Sequence, residues 1–172
     1  VFASWNADKA AEYRRINQID ADMGTAVILQ RMVFGNTGGH SGAGVGFTRD
    51  PSTGEPRLWV DFLANAQGED VVSGRRNAHG HATLAAVAPE AWKQLQASAQ
   101  ALEQHFQDME DFEFTVQDGV LHMLQTRSGK RTPLAAARIA LDLLDEGLID
   151  SAEALHRTQA IDAAALGTVR MV

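Results

Sequence analysis

The chain has 172 residues, a formal net charge of -7 and 45% apolar residues. That length suits one domain, or one domain with a short appendage, and the apolar fraction is ordinary for a globular fold. The acidic balance excludes non-specific binding to nucleic acid or anionic membrane, but not a small anion in a local basic pocket. With no cysteine, disulfides and thiolate metal sites are ruled out. No run approaches the roughly 18–20 apolar residues of a membrane span, and no signal peptide is visible. The expected location is the cytoplasm. The chain begins with Val1 in sequence of structured character and reads as an excised piece of a longer protein.

In chain order, residues 1–23 are polar and weakly patterned, with Trp5 and Tyr13 as anchors. AVILQRMVFG (26–35) is rich in β-formers and is expected to be a strand. GNTGGHSGAG (35–44) is a glycine-rich loop, VGFTRD (45–50) a second strand, and PSTGE (51–55) a turn. RLWVDFLANA (57–66) is a third strand or extended segment, and residues 67–84 lack a period and read as a surface loop. Residues 89–110 carry the clearest helix, with Pro89 in its first turn. Its stripe of Trp92, Leu95, Ala99, Leu102, Phe106 and Met109 is a packing face. DFEFTVQDGVLHMLQTR (111–127) is a β-hairpin turning at Asp118-Gly119. Thr132 then caps a helix with Pro133 at its first position and Gly147 at its end, and Asp150 or Ser151 starts another. Residues 132–172 form a helical hairpin outside the β-rich part. The fold class is α+β.

Several groups carry a chemical reading beside a plain one. The glycine-rich loop is either a phosphate cradle of successive N–H groups or a strand connector. It lacks the Lys-Ser/Thr ending of a P-loop. His79 and His81 have a His-x-His spacing with no third ligand nearby, and His40 sits in a loop; all three read better as polar surface. Arg49-Asp50 and Arg75-Arg76 read as solvated charge near turns, whereas Lys130-Arg131 after Arg127 makes the hairpin's end locally cationic. Asp111, Glu113, Gln125 and Arg127 crowd that same end. Glu113 and Gln125 are hard oxygen ligands of the kind Mg²⁺ takes one or two of, completing its shell with water and phosphate oxygens. Arg127, two residues beyond Gln125, points to the same face and suits a phosphoryl group. The plain alternative is a polar rim at a strand end.

The chain resembles the pyruvate, phosphate dikinase family. The matching stretches are GTAVILQRMVFGN (24–36), SGAGVGFTRDPSTGE (41–55), NAQGEDVVSG (65–74), DFEFTVQDGVLHMLQTRSGKRT (111–132) and AARIALDLLDEGLI (136–149). The resemblance implies the later part of an ATP-grasp nucleotide-binding domain over residues 1–131, mainly an antiparallel sheet with packed helices, followed by a helical connector over 132–172. It implies Mg²⁺ and ATP, with phosphoryl transfer to a carrier histidine in an enzyme that interconverts ATP, phosphate and pyruvate with AMP, pyrophosphate and phosphoenolpyruvate. Glu113 and Gln125 match metal–nucleotide ligands, Asp111 an acidic neighbour, and Arg127 the arginine acting on the transferring phosphates. Ala43 departs from the family's SGTG pattern by losing a hydroxyl. The earlier half of the nucleotide domain, the phosphohistidine domain and the pyruvate barrel lie outside these residues, so the piece alone is expected to be inactive and its full-length parent to be a homodimer. The alternatives are a phosphoenolpyruvate synthase-like fragment and a non-catalytic nucleotide-binding or interaction module.

The shared metal site makes a demand on register. A two-residue Asp118-Gly119 turn gathers Phe112, Phe114, Val116, Leu121 and Met123 on one side, but it sets Glu113 opposite Leu124 and turns Gln125 away. A three-residue loop, Gln117-Asp118-Gly119, pairs Val116 with Val120 and Asp111 with Gln125, with Glu113 diagonal on the same face. The convergence of ligands favours the three-residue loop.

Overall fold

The computed structural model describes residues 2–72, 79–162, 164 and 166. The chain divides into two compact units, one ending at Met32 and the other beginning at Val33. In the first, a 3-10 turn (Phe2–Asn6) leads into α1 (Asp8–Ile16). Trp5 is its anchor, as expected: Arg14 lies 4.0 Å over the indole ring, Arg14 Nη1 donates to the Trp5 carbonyl at 2.7 Å, and the indole N–H donates to Ala21 O at 3.3 Å. Tyr13 is exposed and anchors nothing.

The expected strand at 26–35 does not form. Ile28, Leu29 and Met32 are exposed, Leu29 at 96%. β-favouring side chains make a strand only when a neighbour completes the ladder, and none of the described residues pairs with this segment.

The second unit is built on a five-stranded antiparallel sheet in the order β3-β2-β1-β4-β5. Its strands are β1 (Gly42–Phe47), β2 (Trp59–Ala64), β3 (His79–Gly80), β4 (Glu110–Gln117) and β5 (Val120–Ser128). The span 67–84 is not a plain loop: α2 (Gly68–Val72), β3 and the start of α3 (His81–Val87) fall in it, while residues 73–78 lie outside the described ones. α3 and α4 (Pro89–Phe106) cover the inner face of the sheet, burying Leu84, Ala91, Leu95 and Ala99 against Val60, Phe62, Phe112, Phe114 and Val116. The helical stripe held through Leu102, but Phe106 is half exposed and Met109 belongs to a second cluster.

β1 begins inside what reads as a glycine-rich loop. Its inner-face positions are Gly42, Gly44 and Gly46, and a Cβ at each would overlap the ring of Phe62, Phe114 and Phe112 respectively. The three rings therefore rest directly on the β1 backbone, and Phe62 and Phe114 stack nearly parallel at 6.1 Å. These glycines serve packing.

After β5, α5 (Pro133–Asp145) is capped by Thr132, whose hydroxyl accepts from Ala135 N, and α6 (Ser151–Thr158) by Asp150, which accepts from Glu153 N. Ile139, Leu143, Ile149, Ala154 and Met109 form their shared core. The pair is not detached from the sheet. Arg49, expected as solvated surface, is 2% exposed and joins three elements. Its Nε and one Nη donate to Glu103 of α4 at 3.0 and 2.7 Å, the same Nη reaches Glu146 at 2.7 Å, and Asp142 of α5 lies 3.7 Å from the other. Burial works against the charge, but the hydrogen bonds that Arg49 donates to Glu103 and Glu146 outweigh it and hold the guanidinium's pKa above its ordinary value. Arg131 is likewise not a free cation, since it forks onto Asp108 at 2.5 and 2.9 Å. Arg75 and Arg76 lie outside the described residues.

Removing one side of a buried ion pair leaves the other charge uncompensated. Arg49→Ala is expected to destabilise this unit by about 3 kcal/mol, read as faster amide exchange along α4 and α5 in the full-length protein. Unchanged exchange would mean the helices are held without it.

Asp108 generates a pH dependence. Burial pushes its carboxyl up, but the Arg131 fork, with Arg157 at 3.7 Å, holds it below the usual carboxylate value. Such a group contributes stability that is complete above its unfolded pKa, about 3.9, and lost as pH falls through the lower folded value. Asp108→Asn is expected to flatten the acid side of a stability-versus-pH curve below about pH 4, measured as denaturant midpoints. An acid limb as steep as the original would remove Asp108 from that response. Glu110 has the opposite sign: burial raises its pKa, so its contribution weakens as pH rises.

Candidate functional site

The site is assembled by the β4–β5 hairpin. Asp118 (φ 51°) and Gly119 (φ 82°) are both left-handed, which is the requirement of a two-residue type I′ turn. The neighbouring loop clamps this tip. Thr37 Oγ1 donates to Asp118 Oδ1 at 3.1 Å, Asp118 N donates to Ser41 Oγ at 2.9 Å, and Gly119 N donates to His40 O at 2.8 Å. Pairing from the tip runs Gln117–Val120, Val116–Leu121, Thr115–His122 and Phe114–Met123. The three-residue loop favoured for this hairpin, with Val116 opposite Val120, is not formed.

The expected ligands nevertheless share a face. Leu124 has no partner: a β-bulge interrupts the ladder, which resumes as Glu113–Gln125, Phe112–Thr126 and Asp111–Arg127. A bulge sets two residues of one strand against one of the other. It therefore supplies the one-residue shift that the longer loop was expected to provide. Phe112, Phe114 and Val116 stay on the inner face, while Asp111, Glu113, Gln125 and Arg127 occupy the outer one. Glu113 lies directly opposite Gln125, not diagonal to it, at a Cβ spacing of about 4.5–5.5 Å. Asp111 lies opposite Arg127, not Gln125.

Asp111 Oδ2 accepts from Arg127 Nε at 2.7 Å. That bond keeps the guanidinium's pKa above its ordinary value. Glu113 adds to the field at Arg127, yet neither Glu113 nor Gln125 makes a hydrogen bond or ion pair among the described residues. These two side chains present oxygen donors with nothing to satisfy them but solvent or a ligand. No group of three or more His, Cys, Asp or Glu among the described residues is placed to hold a metal.

The remaining candidates resolve differently. The glycine-rich loop engages the hairpin tip through Thr37, His40 O and Ser41. His40 Nδ1 lies 2.9 Å from Val87 O. His81 stacks on Trp92 at 5.4 Å, and the His79 side chain lies outside the described residues. One outer-face residue escaped notice in the sequence. Asp61, in the middle of β2, pairs with Val45 of β1, which pairs with Glu113. The signal was available: in WVDFLA a carboxylate alternates with core residues Val60 and Phe62, so it faces away from them.

Comparison with known proteins bears on the whole of this arrangement. The family model described as "Pyruvate phosphate dikinase, AMP/ATP-binding domain" matches residues 1–82 and 78–147. The chain belongs to this family. It is 54% identical over 159 residues to the chloroplastic pyruvate, phosphate dikinase of Flaveria trinervia, covering 92% of this chain and 17% of that protein. It is 52% identical over 160 residues to the enzyme of Clostridium symbiosum (93% of this chain, 18% of that protein). The Rickettsia conorii protein of the same name is 49% identical over 162 residues (91% and 18%). The chain thus spans less than a fifth of the length of these relatives. The second stretch matched to the pyruvate phosphate dikinase nucleotide-binding domain, 78–147, contains the whole hairpin with its bulge. No helix among the described residues is long and apolar enough to cross a membrane.

The bulge residue itself is separable from the pairing it permits. Deleting Leu124 joins Met123 to Gln125 and leaves a regular ladder in which Glu113 still faces Gln125. This deletion is expected to keep nucleotide affinity in the full-length protein within about tenfold, or 1.4 kcal/mol, by equilibrium titration. A much larger loss would give the bulge geometry a role beyond register.

Proposed function

We propose that this chain contributes the metal–phosphate half of an ATP site in a pyruvate, phosphate dikinase, in which Glu113 and Gln125 hold Mg²⁺ and Arg127 meets the transferring phosphoryl group. The observation that carries this reading is the pairing of Glu113 with Gln125 and of Asp111 with Arg127 on one open face. The family's AMP/ATP-binding character and the relatives' names support the nucleotide and the dikinase reaction over a phosphoenolpyruvate synthase. In this reading residues 1–131 belong to an ATP-grasp domain and 132–172 to a helical connector. The carrier histidine and pyruvate site belong to other parts of the full-length parent, a cytoplasmic enzyme.

The donor set fits the metal. One carboxylate and one amide oxygen, both without partners among the described residues, leave most of an octahedral shell to water and phosphate oxygens. When bound, Mg²⁺ supplies neutralisation of the phosphate charge. The chain's own residues do the rest. Asp111 holds the Arg127 guanidinium in place, which leaves its other N–H donors directed at ligand. The planar fork matches phosphate oxygens and meets charge that grows during transfer. Arg127 therefore acts on the transition state more than on binding.

In the full-length enzyme, Arg127→Ala is expected to slow the first partial reaction by on the order of 10³-fold with little change in ATP affinity, in single-turnover measurements. Undiminished turnover would leave Arg127 only its bond to Asp111. Glu113→Ala is expected to abolish the Mg²⁺ dependence of ATP binding.

A further inference from the structure

The register of three strand pairs puts Gln125, Glu113, Val45 and Asp61 in one row across the outer face, on β5, β4, β1 and β2 in turn. At about 4.8 Å between strands, Asp61 stands roughly 10 Å from Glu113 along the sheet. Asp61 is partly exposed and makes no hydrogen bond or ion pair among the described residues. Three other aspartates of this unit are matched by arginines: Asp50 by Arg57, Asp108 by Arg131, Asp111 by Arg127. Aspartate is disfavoured inside strands, and packing does not account for this one, since it shares its face with Trp59 and, on the neighbouring strand, with Val45 and Phe47.

The outer face therefore changes character along the row. It is polar and metal-suited over β4 and β5, apolar over β1, and ends on a lone carboxylate on β2. A nucleoside triphosphate laid across the strands has the same order: polyphosphate, then the apolar face of the sugar, then the hydroxyl edge of the sugar. An ionised carboxylate only accepts hydrogen bonds, and its two oxygens match two vicinal hydroxyl donors. An acid on ribose hydroxyls is the device dinucleotide-binding folds use for the same task.

We propose that Asp61 accepts hydrogen bonds from the 2′- and 3′-hydroxyls of the bound nucleotide and so selects ribonucleotides. The proposal rests on the Glu113–Gln125 phosphate site. It is tested on the full-length enzyme by titrating ATP, 2′-deoxy-ATP and 3′-deoxy-ATP with Mg²⁺ into the wild type and into Asp61→Ala, Asp61→Asn and Glu113→Ala. The readout is the ratio of dissociation constants within each variant, which an inactive fraction of protein does not alter.

The wild type is expected to prefer ATP over either deoxynucleotide by roughly ten- to a hundredfold. Asp61→Ala should bring the ratio near one, and Asp61→Asn, which keeps one acceptor oxygen, should fall between. A ratio that survives Asp61→Ala overturns the proposal. So does an equal loss for all three nucleotides with a shifted Mg²⁺ dependence, which would make Asp61 a cation ligand. If Glu113→Ala binds every nucleotide normally, the phosphate site falls and the sugar assignment with it. If Glu113→Ala loses binding while Asp61→Ala keeps its discrimination, only the sugar assignment falls.

Discussion

A charge in a protein interior must be matched where it lies, and Arg49 is matched from two helices at once. It leaves the end of β1, the middle strand of the sheet, and meets Glu103 on α4 and Glu146 just past α5. Breaking such a set strands the partners, so the three elements are held together more strictly than apolar contact alone requires. One guanidinium nitrogen is buried without a hydrogen bond, so the match is not complete. With α4 held over the inner face, the outer face of β4 and β5 is the one left open.

The hairpin had to satisfy two patterns that conflict in a regular ladder. Its apolar residues favour one register and its polar ligands another. The bulge at Leu124 divides the hairpin into two segments, each regular by itself, so that the tip obeys the apolar pattern and the far end the polar one. Thr126 shows the junction is well accommodated: it faces inward and its hydroxyl donates to the buried Glu110 at 2.7 Å. The apolar pattern was right about the tip; the demand that Glu113 and Gln125 share a face is met at the far end, but by a bulge and with Asp111 opposite Arg127, not by the longer loop.

The elements that could be read in the sequence were those set by neighbours in the chain. Pro89 opening α4, Thr132 capping α5 and the Asp-Gly turn are local signals, and they hold. The family's motifs pointed to Glu113, Gln125, Asp111 and Arg127 as candidates, and the structure brings these four to one face. What escaped was decided at a distance. Residues 26–35 carry strand composition, but composition cannot supply a pairing partner. Arg49 sits in a turn-like stretch, and its partners lie 54 and 97 positions away. The bulge follows from a tip clamped by Thr37 and Ser41, which no pattern within the hairpin reveals.

The bare inner edge of β1 has a consequence for how this protein can vary. At positions 42, 44 and 46 any side chain would displace a phenylalanine ring, so half of the strand is closed to substitution. The positions between them, Ala43, Val45 and Phe47, point to the outer face. Of these, Ala43 is itself fully buried and Phe47 packs against the second apolar cluster. Val45, which stands between Glu113 and Asp61 in the pairing of the strands, is thus the position of β1 where a change of side chain alters the outer face without disturbing the core.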